Sequence, residues 1–99
     1  MNKQKILGLL GIAQRAGKIE SGEGMVVEAI RHHKAKLVIV SCDASQNTKD
    51  KMINKGDYYH IPVKVALQAD ELSQSIGKAR KVIAICDSGF ARKIIELLH

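Results

Sequence analysis

Two short strings join a thiol to a carboxyl. Cys42-Asp43 follows Val40-Ser41, and Cys86-Asp87 follows Ile85. Each sits at the end of an apolar run, where α/β proteins often place functional groups. A nucleophilic cysteine needs a neighbouring base to lower its pKa, and the sequence puts none beside either thiol. Both cysteines therefore read as buried thiols, and both aspartates as residues that turn or cap the chain into the next helix. The thiols lack a Cys-x-x-Cys partner and lie too far apart for a local zinc knuckle. His32 and His33 are adjacent, so on a helix they point about 100° apart and do not form a metal pair. With His60 and His99 they read as solvated histidines near helix ends. Gly22-Glu23-Gly24 is the nearest approach to a glycine-rich phosphate loop, and it does not follow an apolar strand. On these grounds no metal or cofactor is expected, and the capping readings are preferred to an enzyme using Cys42, Asp43 or Asp87, which stays open.

The charges point elsewhere. The chain has 99 residues, 16 Lys and Arg against 10 Asp and Glu, and a formal net charge of +6. Such an excess favours an anionic partner. Two basic clusters stand out: Arg31 to Lys36, and Lys78-Ala79-Arg80-Lys81 after Gly77. A basic loop beside exposed backbone amides suits a phosphodiester backbone, although a solvated charged face has the same composition. Ser21-Gly22-Glu23-Gly24 opens a helical segment. There the free amides and positive dipole end suit an anion, and Glu23 adds an acceptor for a base edge. The same string also reads as a plain cap, with Ser21 or Gly22 at the N-cap and Glu23 as a first-turn acid. Aromatic residues make up only 3% of the chain, which excludes a surface built on several stacking rings.

These residues need elements to position them. Asn2 to Ala16 carries Ile6, Leu9, Leu10 and Ala13 at helical spacing, with Asn2 to cap it and Gly17 to stop it. Gly8 and Gly11 inside that helix each cost up to about 1 kcal/mol, which close packing would offset. A short strand near Lys18 to Ser21 precedes a helix from Glu23 to His33. Leu37-Val38-Ile39-Val40 and Val82-Ile83-Ala84-Ile85 are β-branched runs suited to strands covered on both faces. Ile61 to Val65 is a third strand, which Pro62 confines to an edge or to its own start. Asn47 to Tyr58, Asp70 to Ser75 and Gly89 to Leu98 read as helices, the first capped by Asn47 with Asp50 in its first turn. This alternation predicts an α/β fold, an α-β-α sandwich, in one domain spanning residues 1–99. Its core would be built from Ile, Leu, Val, Ala and Met. With no signal-peptide pattern and no apolar run near 18 to 20 residues, a cytoplasmic location is expected.

The ordered blocks Ile19-Glu20-Ser21-Gly22-Glu23, Ala29-Ile30-Arg31, Lys34 to Val40, Asp43-Ala44-Ser45, Asn47-Thr48, Tyr58 to Val63 and Ile76-Gly77-Lys78 resemble the ribosomal protein L7Ae/L30e superfamily. Within it they are most similar to the small bacterial YlxQ-type branch, over essentially the whole chain. The resemblance implies a three-layer α-β-α sandwich with a mixed four-stranded sheet. It also implies a non-enzymatic protein that binds RNA kink-turns, which are sharply bent internal loops with tandem sheared G·A pairs. The RNA-facing surface would be Gly22 to Glu28 together with Ile76 to Arg80. Archaeal members carry Asn, Glu and Lys where this chain has Gly24, Met25 and Glu28. Glu23 is then the remaining acceptor, and Gly24 allows close backbone approach.

The sequence therefore leads to a monomeric, cytoplasmic, ribosome-associated RNA-binding protein with no cofactor and no membrane partner. Its target would be a structured RNA, with ribosomal RNA among the candidates. Lys34, Lys36, Lys78, Arg80 and Lys81 would contact phosphates, Gly22, Glu23, Gly24 and Gly77 would let helix-end and loop backbone meet splayed bases, and Glu28, Ile76 and Ala79 belong to the RNA-facing segments that the resemblance implies. Two other readings are an accessory substrate-binding domain for RNA modification, and an enzyme using Cys42, Asp43 or Asp87.

Overall fold

The expected alternation is realised in a computed structural model that describes residues 1–99. Asn2 caps α1 (Lys3–Arg15), its side-chain oxygen accepting from the Lys5 amide at 3.2 Å. The chain continues through β1 (Ile19–Ser21), α2 (Glu23–Arg31), β2 (Leu37–Val40) and α3 (Gln46–Tyr59). It ends with β3 (Val63–Val65), α4 (Ala69–Ile76), β4 (Val82–Ile85) and α5 (Ser88–Leu98). The strands form a four-stranded mixed sheet in the order β1-β4-β2-β3, with only β2 and β3 parallel.

The two β-branched runs occupy the centre of this sheet, and every residue of β2 and β4 is buried. Because side chains alternate between faces along a strand, one run feeds two cores. Leu37, Ile39, Ile83 and Ile85 pack with Ile6, Leu10, Leu72, Ile76 and Ile94 under α1, α4 and α5. Val38, Val40, Val82 and Ala84 pack with Val26, Ile30 and Met52 under α2 and α3. The result is the three-layer α-β-α sandwich. Each of these large side chains, fully buried, contributes roughly 1.5–3 kcal/mol, so aliphatic residues suffice. Phe90 lies only at the margin of the first core.

Several boundaries differ from the sequence expectation for local reasons. Ser45, not Asn47, caps α3, its hydroxyl accepting from the Thr48 amide at 3.1 Å. Asp50 instead accepts from the Gln46 side chain at 2.9 Å. β3 starts at Val63 because the Ile61 amide returns to the Gly56 carbonyl at the end of α3. Pro62 precedes this edge strand, and its carbonyl still accepts from the Val38 amide. α2 stops at Arg31, since His33 adopts a positive φ of 56°. Of the two α1 glycines, Gly11 packs closely, its missing Cβ lying 3.5 Å from the Ser75 carbonyl, whereas nothing lies near Gly8.

The thiols are also not buried as expected. Cys42 is exposed and Cys86 half-buried, because both lie just past the strand ends where the helical layers no longer cover the sheet. The two Cys-Asp strings do end in caps, but not alike. Asp87 caps the helix that follows it, accepting from the Phe90 amide at 2.9 Å. Asp43 reaches across to α4 and accepts from the Ala69 amide at 3.0 Å. That amide is the main reason the Asp43 carboxyl is held below its usual range. Burial, followed by the nearby Glu20, pushes the Cys86 thiol up, which keeps it protonated at neutral pH.

Candidate nucleic-acid interface

Where β1 passes into α2 the chain must turn within one residue. Gly22 makes the turn at φ 90° and ψ 150°, a conformation almost restricted to glycine. Its amide donates to the Val82 carbonyl at 3.0 Å, and its carbonyl accepts from the Val26 amide at 2.9 Å. The turn is thus fixed to the end of β4. The amides of Glu23, Gly24 and Met25 donate to no protein acceptor, and no side chain caps the helix. Three exposed donors and the positive end of a helix dipole therefore point outward at one place.

The second turn lies beside the first, between α4 and β4. Gly77 ends α4 in the left-handed conformation at φ 76°, its amide donating to the Ser73 carbonyl at 2.8 Å. The Ser73 hydroxyl accepts from the Arg80 amide at 3.1 Å, which folds Lys78 and Ala79 into a short exposed loop. Ile76 is only 4% exposed and packs in the first core, so its side chain anchors this loop from beneath.

Arg80 joins the two turns. Its Nε donates to the Ser21 hydroxyl at 3.2 Å and its Nη1 to the Ala79 carbonyl at 3.0 Å. The guanidinium also covers Gly22, whose missing Cβ would lie 3.5 Å from Nε. A residue that the sequence offered only as a phosphate contact is therefore also a pin between the loops. The exposed cations around it are Lys78 and Lys81, neither of them in an ion pair.

The remaining named residues divide. Glu23 opens α2 and faces Lys51 of α3 at 3.7 Å, a neighbour that sequence reasoning missed. The signal for it was available only as a helix face, since Lys51 stands far from Glu23 in the chain. Glu28 lies more than a turn along α2, where Arg31 at 3.6 Å and His32 at 3.2 Å meet its charge. Lys34 shares a small depression with Glu20, Met25 and Glu28 along α2, and Lys36 is not brought to the two turns. β4 runs antiparallel to β1 and β2, so Gly22 and Lys81 sit at the Val82 end of the sheet, while the Lys36 amide bonds to Ile85 at the other end. No group of three or more His, Cys, Asp or Glu side chains is placed to hold a metal ion. No helix is long and apolar enough to cross a membrane.

The chain is similar to known proteins in sequence and fold. The "RNA-binding protein YlxQ" of Enterococcus faecium is 47% identical over 98 residues, covering 99% of this chain and 95% of that protein. The protein of the same name from Bacillus subtilis (strain 168) is 50% identical over 91 residues, 91% of each chain. A Bacillus halodurans structure of unknown function superposes with a TM-score of 0.92 at 44% identity, covering 95% of this chain and 96% of that one. The Giardia lamblia 15.5kD RNA binding protein shares the fold, with a TM-score of 0.83 at 17% identity over 95% of this chain and 84% of its own. The family model for the ribosomal protein L7Ae/L30e/S12e/Gadd45 family matches residues 4–95. On sequence and fold together, the chain belongs to the ribosomal protein L7Ae/L30e/S12e/Gadd45 family.

Proposed function

We propose that this protein binds structured RNA at a kink-turn, through the paired turns at Gly22 and Gly77. The observation that carries the reading is the Arg80 pin, which holds two backbone-exposing turns side by side with free cations around them. The two YlxQ proteins named for RNA binding support the same class of ligand. RNA is read most readily where its helix is interrupted, because unpaired bases there leave the stack. At such a bend the open amides of Glu23, Gly24 and Met25 donate to an anion or to a base-edge acceptor. Glu23 supplies the complementary acceptor, and the absence of a side chain at Gly24 lets the sugar-phosphate backbone approach. Lys78 and Lys81 hold the phosphates on the flanks. Specificity then comes from the shape of the bend, which suits a surface without a row of aromatic rings.

In this reading the protein is a non-enzymatic single domain without a cofactor, acting as a cytoplasmic monomer on ribosomal or other structured RNA. The test is the salt dependence of binding. Each lysine in contact with phosphate contributes about 0.7–0.9 to the slope of log K against log salt concentration. Replacing Lys78 and Lys81 with alanine is expected to weaken binding of a kink-turn RNA and flatten that slope by roughly 1.5. An unchanged slope in the double variant contradicts the assignment.

A further inference from the structure

Both tyrosines of the chain stand together at the end of α3, where Tyr59 packs against the margin of the second core and Tyr58 projects beyond it. Tyr58 is 78% exposed. Its ring meets Tyr59 edge to face, with centroids 4.8 Å apart, and Tyr59 meets His33 in the same way at 5.8 Å. The exposed ring is therefore braced rather than free. Lys51, Asn54 and Lys55 share its face of the helix, and with the tyrosines they line a shallow depression of about 510 Å³. Asp50 and Asp57 belong to the flank, roughly 100° or more round the helix from Lys51. Of these, Asp50 is engaged by Gln46.

We propose that this face of α3 is a second RNA-binding site, one that takes unpaired nucleotides. Tyr58 stacks on a base, Lys51 and Lys55 hold the phosphates of the strand that runs from it toward the start of α3, and the Asn54 amide meets a base edge. The chemistry distinguishes this ligand from a protein helix or a membrane. The face surrounding Tyr58 is made of two cations and an amide, with no aliphatic groove to receive an apolar partner. Its length fits as well, since Lys51 and Tyr58 are about 10 Å apart along the helix. Stacked nucleotides at about 3.4 Å each place two or three in that distance. The site rests on the proposed RNA surface in one respect. Lys51 lies 3.7 Å from Glu23, so a strand leaving the α2 start passes directly onto α3.

The test uses an isotope-labelled full chain titrated with an unstructured single-stranded octanucleotide RNA, followed by the backbone amide resonances. Saturable shifts are expected at Lys51, Asn54, Lys55 and Tyr58. Tyr58→Ala is expected to weaken the octanucleotide at least about fivefold, and Tyr58→Phe to retain it, because stacking requires the ring and not the hydroxyl. Thermal melting of each variant confirms the fold. Shifts confined to the Gly22 and Gly77 turns, or an unchanged affinity in Tyr58→Ala, overturn the proposal. A parallel titration with a kink-turn RNA lacking any single-stranded extension reports on the paired turns alone, so either site can fail while the other stands.

Discussion

Replacing Gly22 with alanine and, separately, Gly24 with alanine perturbs the proposed interface at two neighbouring points, and the expected signs are opposite. Gly22 sits at φ 90° and ψ 150°, where an alanine is strained by about 1–3 kcal/mol. Space does not add to that cost, since the new Cβ would make an ordinary contact with Arg80 Nε at 3.5 Å. Gly24 is helical with nothing near its missing Cβ, so alanine there gains up to about 1 kcal/mol from helix propensity and from the unfolded chain. The two variants should therefore differ by roughly 1–4 kcal/mol in equilibrium urea denaturation, with wild type between them. In thermal melting each 1 kcal/mol corresponds to about 4–8 °C for a domain of this size. A Gly22→Ala protein as stable as wild type refutes the conformational argument. Equal midpoints for the two variants refute it as well. In binding, both changes are expected to weaken a kink-turn RNA, the first by displacing the helix-start amides and the second by keeping the RNA backbone at a distance.

Other consequences follow from packing and ionisation. Gly56 lets α3 lie against β3. An alanine Cβ there collides with the Val63 side chain and lies 2.7 Å from the Ile61 carbonyl. That overpacking, about 1–3 kcal/mol against a stiff β-branched side chain and a backbone carbonyl, outweighs the helix-propensity gain of about 1 kcal/mol. Gly56→Ala should lower the urea midpoint, and a midpoint at or above wild type contradicts this packing. The two ends of the α4 cap respond to acid. The Asp43 carboxyl is held low first by the Ala69 amide, and the Glu71 carboxyl first by the Gln68 amide and then by Lys3 at 3.0 Å. A carboxyl with a lowered folded pKa contributes stability in full above its unfolded value, and loses it as pH falls through the folded one. Stability should therefore decline below about pH 4, and Asp43→Asn combined with Glu71→Gln should flatten that decline. An identical pH profile in the double variant counts against the cap.

The parts of the fold that could be read from the chain were those fixed by local chemistry. Leu37 to Val40 and Val82 to Ile85 are continuous apolar, β-branched runs, and a strand covered on both faces demands that composition. Asn2 was legible as a cap for the same reason. Competing caps were not: Ser45 and Asn47 both suit an N-cap, and only the geometry of the Thr48 amide decides between them. Sheet order decided the site. The clusters at Arg31 to Lys36 and Lys78 to Lys81 look equivalent in sequence, yet the antiparallel pairing of β2 and β4 sends them to opposite ends of the sheet. Arg80 was visible as a charge but not as a pin, because its Ser21 partner is 59 residues away. Exposure of the thiols was equally hidden, since it depends on where the helical layers end. Tyr58 and Tyr59 entered the sequence reading as a helix end and part of a family block, not as a surface, because the exposure of one ring depends on where α3 ends against the second core.

The central claim is that the paired turns recognise the shape of a bend, not simply negative charge. It is tested most directly by comparing binding to a kink-turn RNA with binding to the same RNA lacking its sheared G·A pairs, in a gel-shift titration at fixed salt. The account predicts clearly tighter binding to the intact kink-turn. Equal affinity for the two RNAs would contradict it, leaving only the attraction of a chain with a net charge of +6 for any polyanion.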